Sequence, residues 1–397
     1  DLCEKCGRVP EEIENPHCSI CGQPPVKEKT SHYFFKLKNF SEKLSQYLEE
    51  NQNLQKDVKK YVQNWIKEGL TDWDITRDIS WGIPVPIDGV NDKVFYGWFD
   101  NHLAYISSAV KFLNDNGKDG KKFWNESDIY HFIGKDIVYH HYLFLPAMRL
   151  GIEEEYKLPD YIPTRGHLTL QSKKISKSRN WYIGLKDFLQ IFPADYLRFY
   201  LVSINPYSQD DLNFDWNEFA TKINSELIGN LGNLVNRVLG FTVKSFDGII
   251  PAPEEFDDAD KESEKLIKEF VTEIGTLMEQ NHLDRALKKI FQFSAHFNQY
   301  FQHKEPWKNN PGTNSCIYLS VNAVRSLAIA IYPFLPESSQ KIWVQLGMHD
   351  NISAQGFDEM SNISIKQGHK LGKISPLFQK VEESMIKEQS AKLGDSM

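Results

Sequence analysis

The sequence predicts an α/β fold in its first half and an all-α fold in its second half. In the first half, short apolar runs alternate with helical patterns, an order typical of a domain built on a parallel sheet. From about Asp187 onward, apolar residues recur at helical spacing in one segment after another. The second half is therefore predicted to be a helical bundle.

The elements of the first half follow from apolar periodicity and from the residues that interrupt it. A Tyr-Phe-Phe-Lys-Leu run predicts a strand at 33–37, and Ser41 caps a helical pattern that extends to Leu70. Glycines and prolines break the strand-like segment 73–99. The remaining predicted elements are a helix at 101–113 ended by a turn at 114–122, a strand at 129–134, a helix at 138–150 and an extended segment at 161–170.

The second half contains five predicted helices. They cover residues 219–241, 262–281, 283–304, 314–332 and 337–346. Each of the first two carries an apolar stripe on one face. The stripe residues are Ile223, Leu227, Leu231, Leu234 and Val238 in the first helix, and Leu266, Phe270, Ile274 and Leu277 in the second. After Lys370 the chain is expected to end in a polar helix.

The composition is that of a globular protein, with 41% apolar and 25% charged residues. The longest apolar candidate for a membrane span, 327–335, is short and contains Pro333, so no membrane partner is expected. The net charge of −8 is a global average. Because local basic strips bind phosphates on acidic proteins, this charge neither supports nor excludes an RNA partner.

Four of the five cysteines form two Cys-x-x-Cys pairs near the start of the chain. Cys3 pairs with Cys6 and Cys18 with Cys21, and a glycine follows each pair. This spacing lets both thiolates of a turn reach one tetrahedral ion, which predicts structural zinc, with two disulfides as the alternative. The four thiolates belong either to one zinc site or to two. Cys316 lies in an apolar helical run and is expected to be a packed small hydrophobe.

A short segment, 173–179, combines four cations with two serine hydroxyls. Its centre is Lys-Ile-Ser-Lys-Ser at 174–178, and a β-like run precedes it at 168–170. A solvated charged loop is the simpler interpretation of such a run. Ammonium groups that alternate with hydroxyls also suit a polyphosphate whose charge moves during a reaction.

Five separated motifs resemble, in order, those of methionyl-tRNA synthetases, which are class I aminoacyl-tRNA synthetases. They are the cysteine pairs, Asp-Ile-Thr-Arg-Asp at 74–78, Phe-Tyr-Gly-Trp-Phe-Asp at 95–100, Phe-Ile-Gly-Lys-Asp at 132–136, and the loop at 174–178. The loop matches Lys-Met-Ser-Lys-Ser, with isoleucine in the methionine position. The helical half is similar to this family too, and the cysteine pairs and helix spacing are most like the archaeal type.

This resemblance implies an incomplete Rossmann-type catalytic domain with a zinc knuckle, followed by an α-helical anticodon-binding bundle. The implied domains are the knuckle at 1–32, the second half of the catalytic domain at 33–165, the basic loop and a linker at 166–205, and the anticodon-binding domain at 206–397. The implied activity is activation of methionine with ATP to methionyl-adenylate and transfer to tRNA(Met), in the cytoplasm. Structural Zn²⁺ and Mg²⁺ bound with ATP are implied as well.

The resemblance also assigns roles to individual residues. The residues that match methionine and ATP contacts are Trp98, Tyr105, Asp136, Ile137 and His141. Those that match groups acting on the adenylate and the ATP phosphates are Arg77, Lys174 and Lys177. Those that match anticodon-binding positions are Asn233, Arg237, Pro306 and Trp307. The residue types suit these roles, since a thioether packs well against aromatic rings and a tryptophan stacks on an unpaired base.

Three features depart from the family pattern. Asn101-His102 replaces a common Ala-Pro, so a different pocket floor is expected, and Leu145 stands where some members have a second pocket tryptophan. The sequence contains no His-Ile-Gly-His motif, which holds ATP in class I synthetases. The chain also starts at Asp1, next to a cysteine pair. We therefore expect a C-terminal portion of the enzyme that is inactive alone, either monomeric or joined by a separate N-terminal chain.

Two other functions fit part of the pattern. Another class I synthetase, such as the cysteine enzyme, would share the fold. The leucine and valine enzymes usually carry a large editing insertion, for which the interval 21–174 has no room. A non-catalytic, zinc-containing tRNA-binding module would explain the missing ATP motif, but it would not need Lys177, Arg77 or a pocket at Trp98.

Overall fold

The computed structural model describes residues 15–17, 22–24, 29–152 and 154–394. The four N-terminal cysteines lie outside the described residues, and so does their predicted zinc site. The chain divides into two compact units. Unit 1 comprises Asp1–Ile129 and Tyr139–Tyr161, and unit 2 comprises Tyr130–Val138 and Ile162–Met397.

The strands of unit 1 form two antiparallel pairs. β1 (Phe34–Phe35) pairs with β2 (Trp73–Asp74), and β3 (Thr76–Arg77) pairs with β4 (Val94–Phe95). All four strands are two residues long. The long strand-like segment expected at 73–99 is therefore interrupted, because prolines at 84 and 86 cannot donate to a ladder.

The helices of unit 1 are α1 (Ser41–Glu50), α2 (Lys56–Glu68), α3 (Gly97–Asp100), α4 (Ala104–Asp115), α5 (Gly120–Glu126) and α6 (Leu145–Gly151). The prediction of one continuous helix over 41–70 was wrong. Asn51 leaves the helical conformation, and its side-chain amide donates to the carbonyl oxygens of Pro159 and Asp160, both at 3.1 Å. Helix α5 was not predicted, although Asp119 is a typical N-cap and accepts from the Lys122 amide.

The core of unit 1 lies against the inner faces of α1 and α2, where Leu44, Leu48, Val58 and Val62 are fully buried. A π-helical segment, His140–Phe144, leads into α6. Pro146 follows this segment at the start of α6 and, because it has no N–H, cannot donate to a carbonyl of the preceding π-helical turn. Wide π-helical turns commonly occur at functional sites, and this one contains the predicted site residue His141.

The strands of unit 2 include two parallel pairs, as the predicted parallel sheet requires. β5 (Ile133–Gly134) runs parallel to β6 (Thr164–Arg165). β7 (Leu168–Leu170) lies between β8 (Lys173–Lys174), which is antiparallel to it, and β9 (Leu212–Phe214), which is parallel to it. The tight β7–β8 turn thus delivers the basic segment to the edge of this sheet.

Unit 2 continues as a helical bundle. Its helices are α7 (Leu185–Ile191), α8 (Ala194–Ser203), α9 (Trp216–Lys222), α10 (Asn233–Phe246), α11 (Asp258–Glu279), α12 (Leu283–Lys304), α13 (Thr313–Ile331), α14 (Pro336–Gln345) and α15 (Glu383–Ala391). A second π-helical segment, Ile223–Gly232, joins α9 to α10. The predicted helices are present within a few residues, whereas α7 and α8 were not predicted as separate helices.

The bundle core agrees with the predicted stripe of the first long helix, whose five apolar residues are all buried. In α11 the buried apolar residues are Ile267, Phe270 and Ile274, whereas the predicted Leu266 and Leu277 are partly buried and pack against the same core. Helices α7 and α8 contribute Phe188 and Phe199 to the same core. Cys316 is fully buried, as expected of a packed small hydrophobe, and burial raises the pKa of its thiol to about 12.

Helix α13 is apolar enough, by length and composition, to pass the test for a membrane span, with a mean hydropathy of 1.2 over 18 residues. The expectation that no run would reach this length was therefore wrong. Within the described chain, however, 89% of that window is buried inside the bundle. Its polar residues also have internal partners, since Asn322 donates to the Ile365 carbonyl at 3.1 Å and Arg325 to the Glu359 carbonyl at 2.7 Å. The core helix of a bundle can have the same length and apolar composition as a membrane span.

A buried ion pair fixes the C-terminal end of α12 against the start of α11. Asp257 and Asp260 form a reciprocal capping box at the N-terminus of α11. The Lys304 ammonium lies 2.7 Å from a carboxylate oxygen of each, and the Tyr300 hydroxyl donates to Asp260 at 2.5 Å. The contact with Lys304 lowers the pKa of Asp257. Asp260 is completely buried, and these partners offset the free-energy cost of burying its charged carboxylate.

We expect Lys304→Met to destabilise the bundle by about 3 kcal/mol at neutral pH, because it leaves a buried carboxylate without its cation. Folding lowers the pKa of Asp257, so the charged carboxylate stabilises the folded state at pH values above the ordinary carboxylate pKa. This stabilisation is lost as the pH falls through the lowered pKa of the folded state. The difference in unfolding free energy between the two proteins should therefore shrink below about pH 4. Urea unfolding followed by circular dichroism measures it.

Lys308→Met is the matched control for this prediction. Lys308 also forms an ion pair, with Glu305 at 2.7 Å, but at least a third of the surface of each side chain is exposed to solvent. Such a pair contributes less than about 1 kcal/mol. Equal destabilisation by both variants would contradict the role given to the buried pair.

Candidate active-site and RNA-binding residues

In unit 1, α3, α4 and the first π-helical segment bring three predicted pocket residues into one aromatic cluster. Trp98 and Tyr105 are 41% and 46% exposed, whereas His141 is buried. The Tyr105 hydroxyl lies 3.2 Å from His141 Nε2. A wall of two accessible rings with a buried polar group behind it suits a ligand that has an apolar chain and a polar head.

Two histidines that were given no role complete this cluster. The ring of His140 lies 5.1 Å from that of Trp98, and the ring of His102 lies 5.0 Å from His140 and 5.7 Å from His141. His102 stands at the sequence departure 101–102, which was the signal that could have identified it. Imidazole rings thus pack next to Trp98 in this cluster.

Arg77, on β3, is held by neighbours within unit 1. Its guanidinium donates to Asp74 at 3.0 Å and lies 3.8 Å from the centre of the Tyr96 ring. Asp78 does not compete for it, because Asp78 pairs with Lys93, and this contact lowers the pKa of Asp78. Arg77 is therefore oriented by a carboxylate on one side and an aromatic face on the other.

Asp136 and Ile137 belong to unit 2, on a short 3-10 turn that follows β5. The Asp136 carboxylate lies 3.3 Å from His167 Nε2, and both side chains are more than half exposed. The preceding residue, Lys135, pairs with Asp211 at 2.8 Å, and this contact lowers the pKa of Asp211. Of the five predicted methionine and ATP contacts, the structure therefore groups three in unit 1 and two in unit 2.

The basic segment of unit 2 has a pinned backbone and accessible cations. Ser176 and Trp181 exchange two backbone hydrogen bonds of 2.9 Å, and Asn180 adopts a left-handed conformation with φ 48° that closes the turn. Lys174 and Lys177 are exposed, and neither pairs with a carboxylate of the described residues. Their ammonium groups are available to an anion.

Trp181 anchors this loop. Its indole N–H donates to the Leu170 carbonyl at 2.8 Å, and the Lys173 ammonium lies 4.3 Å from its ring centre. Below the loop is an apolar hollow of about 240 Å³, whose lining includes Ile175 and Phe188. Lys177 also lines this hollow, and Ile175, which stands between the two lysines, is 40% exposed.

In the bundle, the four predicted anticodon-binding residues share one surface, the α10–α12 patch, defined as Asn233, Arg237, Pro306 and Trp307. Pro306 and Trp307 form a short turn directly after α12. The Arg237 guanidinium lies 5.7 Å from the Trp307 ring centre, and Trp307 is 44% exposed. An exposed indole beside a guanidinium offers stacking and hydrogen-bond donors to an unpaired base.

Two residues of α12 that were not predicted orient this patch. The Asn233 amide donates to Asn298 Oδ1 at 2.8 Å, and Arg237 donates to Gln302 Oε1 at 2.9 Å. Asn298 in turn donates to the Asn230 carbonyl at 3.0 Å. Asn298 and Gln302 are one helical turn apart, a spacing that could have linked them to Asn233 and Arg237 had the pairing of the helices been known.

Two family models match nearly the whole chain. The model described as "tRNA synthetases class I (M)" matches residues 1–239, and "Anticodon binding domain of methionyl tRNA ligase" matches residues 250–396. The chain is thus a class I aminoacyl-tRNA synthetase catalytic domain followed by a helical anticodon-binding domain.

Relatives specify the family within that class. The methionine–tRNA ligase of Methanopyrus kandleri is 40% identical over 100% of this chain and 59% of its own length. The ligase of Pyrococcus furiosus is 39% identical over 97% of this chain and 55% of its own length. The ligase of Sulfolobus acidocaldarius is 36% identical over 97% of this chain and 69% of its own length. The chain belongs to the methionyl-tRNA synthetase family, and the similarity to archaeal members confirms the predicted type.

A solved structure agrees. The Mycobacterium tuberculosis methionyl-tRNA synthetase in complex with methionyl-adenylate superposes with a TM-score of 0.79 at 26% identity, over 91% of this chain and 71% of that one. The chain spans between half and two thirds of the length of the Methanopyrus and Pyrococcus relatives.

Proposed function

We propose that this chain supplies the methionine pocket, the phosphate-binding loop and the anticodon-reading surface of a methionine–tRNA ligase. The observation that carries the proposal is the basic loop, because Lys174 and Lys177 are accessible cations on a pinned backbone. Attack of the methionine carboxylate on the α-phosphorus breaks its bond to pyrophosphate, and the leaving group takes the electron pair. Cations at the phosphates stabilise that charge, so no protein nucleophile is needed. Mg²⁺ would arrive with ATP.

The proposed methionine contacts follow the geometry of each unit. In unit 1, Trp98 and Tyr105 would hold the thioether chain, and His141 would orient the Tyr105 hydroxyl. Arg77 would meet the adenylate from its position between Asp74 and Tyr96. In unit 2, Asp136 and Ile137 would contribute from the turn after β5. The protein is proposed to act in the cytoplasm, as its family does.

A non-catalytic tRNA-binding module is the second candidate. It is favoured by the lack of a His-Ile-Gly-His motif in the sequence. It gives no reason for an accessible Trp98 and Tyr105 above a buried histidine. The two functions are distinguished by whether methionine is activated.

We also propose that Cys3, Cys6, Cys18 and Cys21 bind structural zinc, because four thiolates in two Cys-x-x-Cys pairs match its preferred donors. Purified chain should contain zinc, near one ion if the four thiolates share a site. Replacing all four by serine should remove it, whereas Cys316→Ala should not. Metal analysis measures this, and a zinc-free protein without titratable N-terminal thiols would instead indicate disulfides.

The catalytic proposal predicts methionine-dependent pyrophosphate exchange once a class I synthetase segment that contains His-Ile-Gly-His is joined to the chain. The chain alone should give none. Lys177→Ala should lower exchange by about 10²-fold, as expected for loss of one group that stabilises transition-state charge. Trp98→Ala should chiefly raise the KM for methionine, because it removes a binding wall.

Lys111→Ala is the control for Lys177→Ala. Lys111 is an exposed lysine on α4 that pairs with Asp115 one turn away, at 2.8 Å. Exchange should not change. If the protein joined to a His-Ile-Gly-His segment shows no pyrophosphate exchange, the ligase proposal fails and the binding module is favoured. If exchange depends on cysteine instead of methionine, the proposal of a methionine–tRNA ligase fails as well.

The anticodon proposal predicts that Trp307→Ala weakens tRNA(Met) binding at least about tenfold, since stacking on one base contributes about 1–3 kcal/mol. Methionine activation should stay near normal. Trp81→Ala is the matched control, because Trp81 is a tryptophan of unit 1 that is 86% exposed. Filter binding and pyrophosphate exchange measure the two effects, and equal loss of both would contradict the assignment.

A further inference from the structure

The side chain of His102 is buried among the rings of the aromatic cluster in unit 1. His102 is 2% exposed, against 41% for Trp98 and 46% for Tyr105. Its ring centre lies 6.1 Å from that of Trp98, 5.0 Å from that of His140 and 5.7 Å from that of His141. These separations are typical of rings in contact. His102 therefore packs against the residues of the proposed methionine pocket without being accessible to a ligand itself.

Helical geometry places His102 on the same face as the two accessible rings. Helix α3, one 3-10 turn and α4 follow one another, with right-handed helical dihedral angles at both junctions. His102 is four residues after Trp98 and three before Tyr105. Residues at these spacings are neighbours on one side of a helix. The imidazole thus stands between the two rings along this face.

A group of packed rings supports the indole of Trp98. His102 and His140 both contact it, with ring centres 6.1 and 5.1 Å away. Each imidazole also contacts Trp73 of β2, at 6.2 Å from His102 and 5.6 Å from His140. Trp73 is in turn stacked on Phe144, with ring centres 3.8 Å apart, and Phe144 is buried. Each imidazole is therefore packed against both indoles.

His102 also connects these rings to Tyr105. Its ring contacts that of His141, and His141 Nε2 lies 3.2 Å from the Tyr105 hydroxyl. His140 and His141 are consecutive residues of the first π-helical segment, so that one imidazole contacts two neighbouring histidines. His102 thus contacts Trp98 directly and reaches Tyr105 through His141.

We propose that His102 is a positioning residue that sets the separation of Trp98 and Tyr105, and thereby selects the side chain of methionine by its length. The inference rests on the proposed methionine pocket. The family resemblance does not imply it, because His102 belongs to the Asn101-His102 departure. Replacing the ring by a methyl group leaves a cavity next to Trp98, into which the indole can relax. A pocket with such a wall binds methionine less tightly and rejects a longer side chain less strictly.

The test measures pyrophosphate exchange in the protein joined to a His-Ile-Gly-His segment, with methionine and with ethionine, whose side chain is one methylene longer. His102→Ala should raise the KM for methionine about tenfold and lower the preference for methionine over ethionine by a similar factor. The KM for ATP should not change. His102→Leu, which fills part of the space, should show a smaller change in the same direction. His102→Phe keeps a planar ring and should retain most of the preference.

A double-mutant cycle separates positioning from general destabilisation. Because His102 acts through Trp98, His102→Ala should have almost no further effect on the KM for methionine in a protein that already carries Trp98→Ala. A general loss of stability would instead affect both backgrounds alike. His296→Ala is the matched control, since His296 is a half-buried histidine of unit 2 whose Nε2 lies 3.2 Å from Ser263 Oγ. Its removal should leave the preference for methionine unchanged.

The results distinguish this inference from the function on which it rests. The positioning role is wrong, and the proposed function stands, if His102→Ala changes neither the KM for methionine nor the preference. The same conclusion follows if the effects of His102→Ala and Trp98→Ala on the KM multiply, or if His102→Phe is as impaired as His102→Ala. If the joined protein shows no methionine-dependent exchange before any substitution, the proposed function fails and the positioning role fails with it.

Discussion

The contact of Lys304 with Asp257 and Asp260 is the constraint on which the α10–α12 patch depends. It joins the last residue of α12 to the first turn of α11, and α12 in turn packs against α8, α10, α11 and α13. One residue later, Glu305 takes a left-handed conformation with φ 42°, and Pro306 starts the turn that presents Trp307. A buried pair with fixed partners is costly to rearrange. The position of an exposed indole is thus set by a cation at the end of a buried helix.

Parallel packing of α10 and α12 gives the bundle a long polar surface that no single helix carries. Each helix buries one apolar face and leaves the adjacent polar face along the shared seam, so the pairs at a separation of 65 residues form a ladder of side-chain hydrogen bonds. The π-helical segment before α10 places Asn230 so that its side-chain amide donates to the Phe291 carbonyl and its own backbone carbonyl accepts from the Asn298 side-chain amide. Amides are thereby held in fixed orientations, and fixed donors lose less freedom when they bind a ligand.

Much of this organisation could be predicted from the sequence, and the exceptions share a physical cause. Apolar periodicity located the long helices, because each buries one stripe. Motif order identified the family. Periodicity did not indicate which helices lie side by side, so Asn298 and Gln302 were missed although they contact predicted residues. His140 was missed for the same reason, because its ring reaches Trp98 only through packing between segments distant in sequence, whereas His102 lies four residues after Trp98. The interruption at Asn51 likewise depends on carbonyls more than a hundred residues away.

The basic loop is built on the opposite principle from the anticodon surface. Its backbone is fixed by short-range contacts: the Ser176–Trp181 hydrogen bonds, the left-handed Asn180 and the indole bond to Leu170. Its two key ammonium groups are left at the ends of flexible stems. Charge that develops on a leaving pyrophosphate moves as the bond breaks, so a cation that can follow it stabilises more of the path than a rigid one. In the function proposed above, the α10–α12 patch would have to distinguish bases, which fixed donors favour. The loop would have to accompany charge, for which only its attachment points need to be fixed.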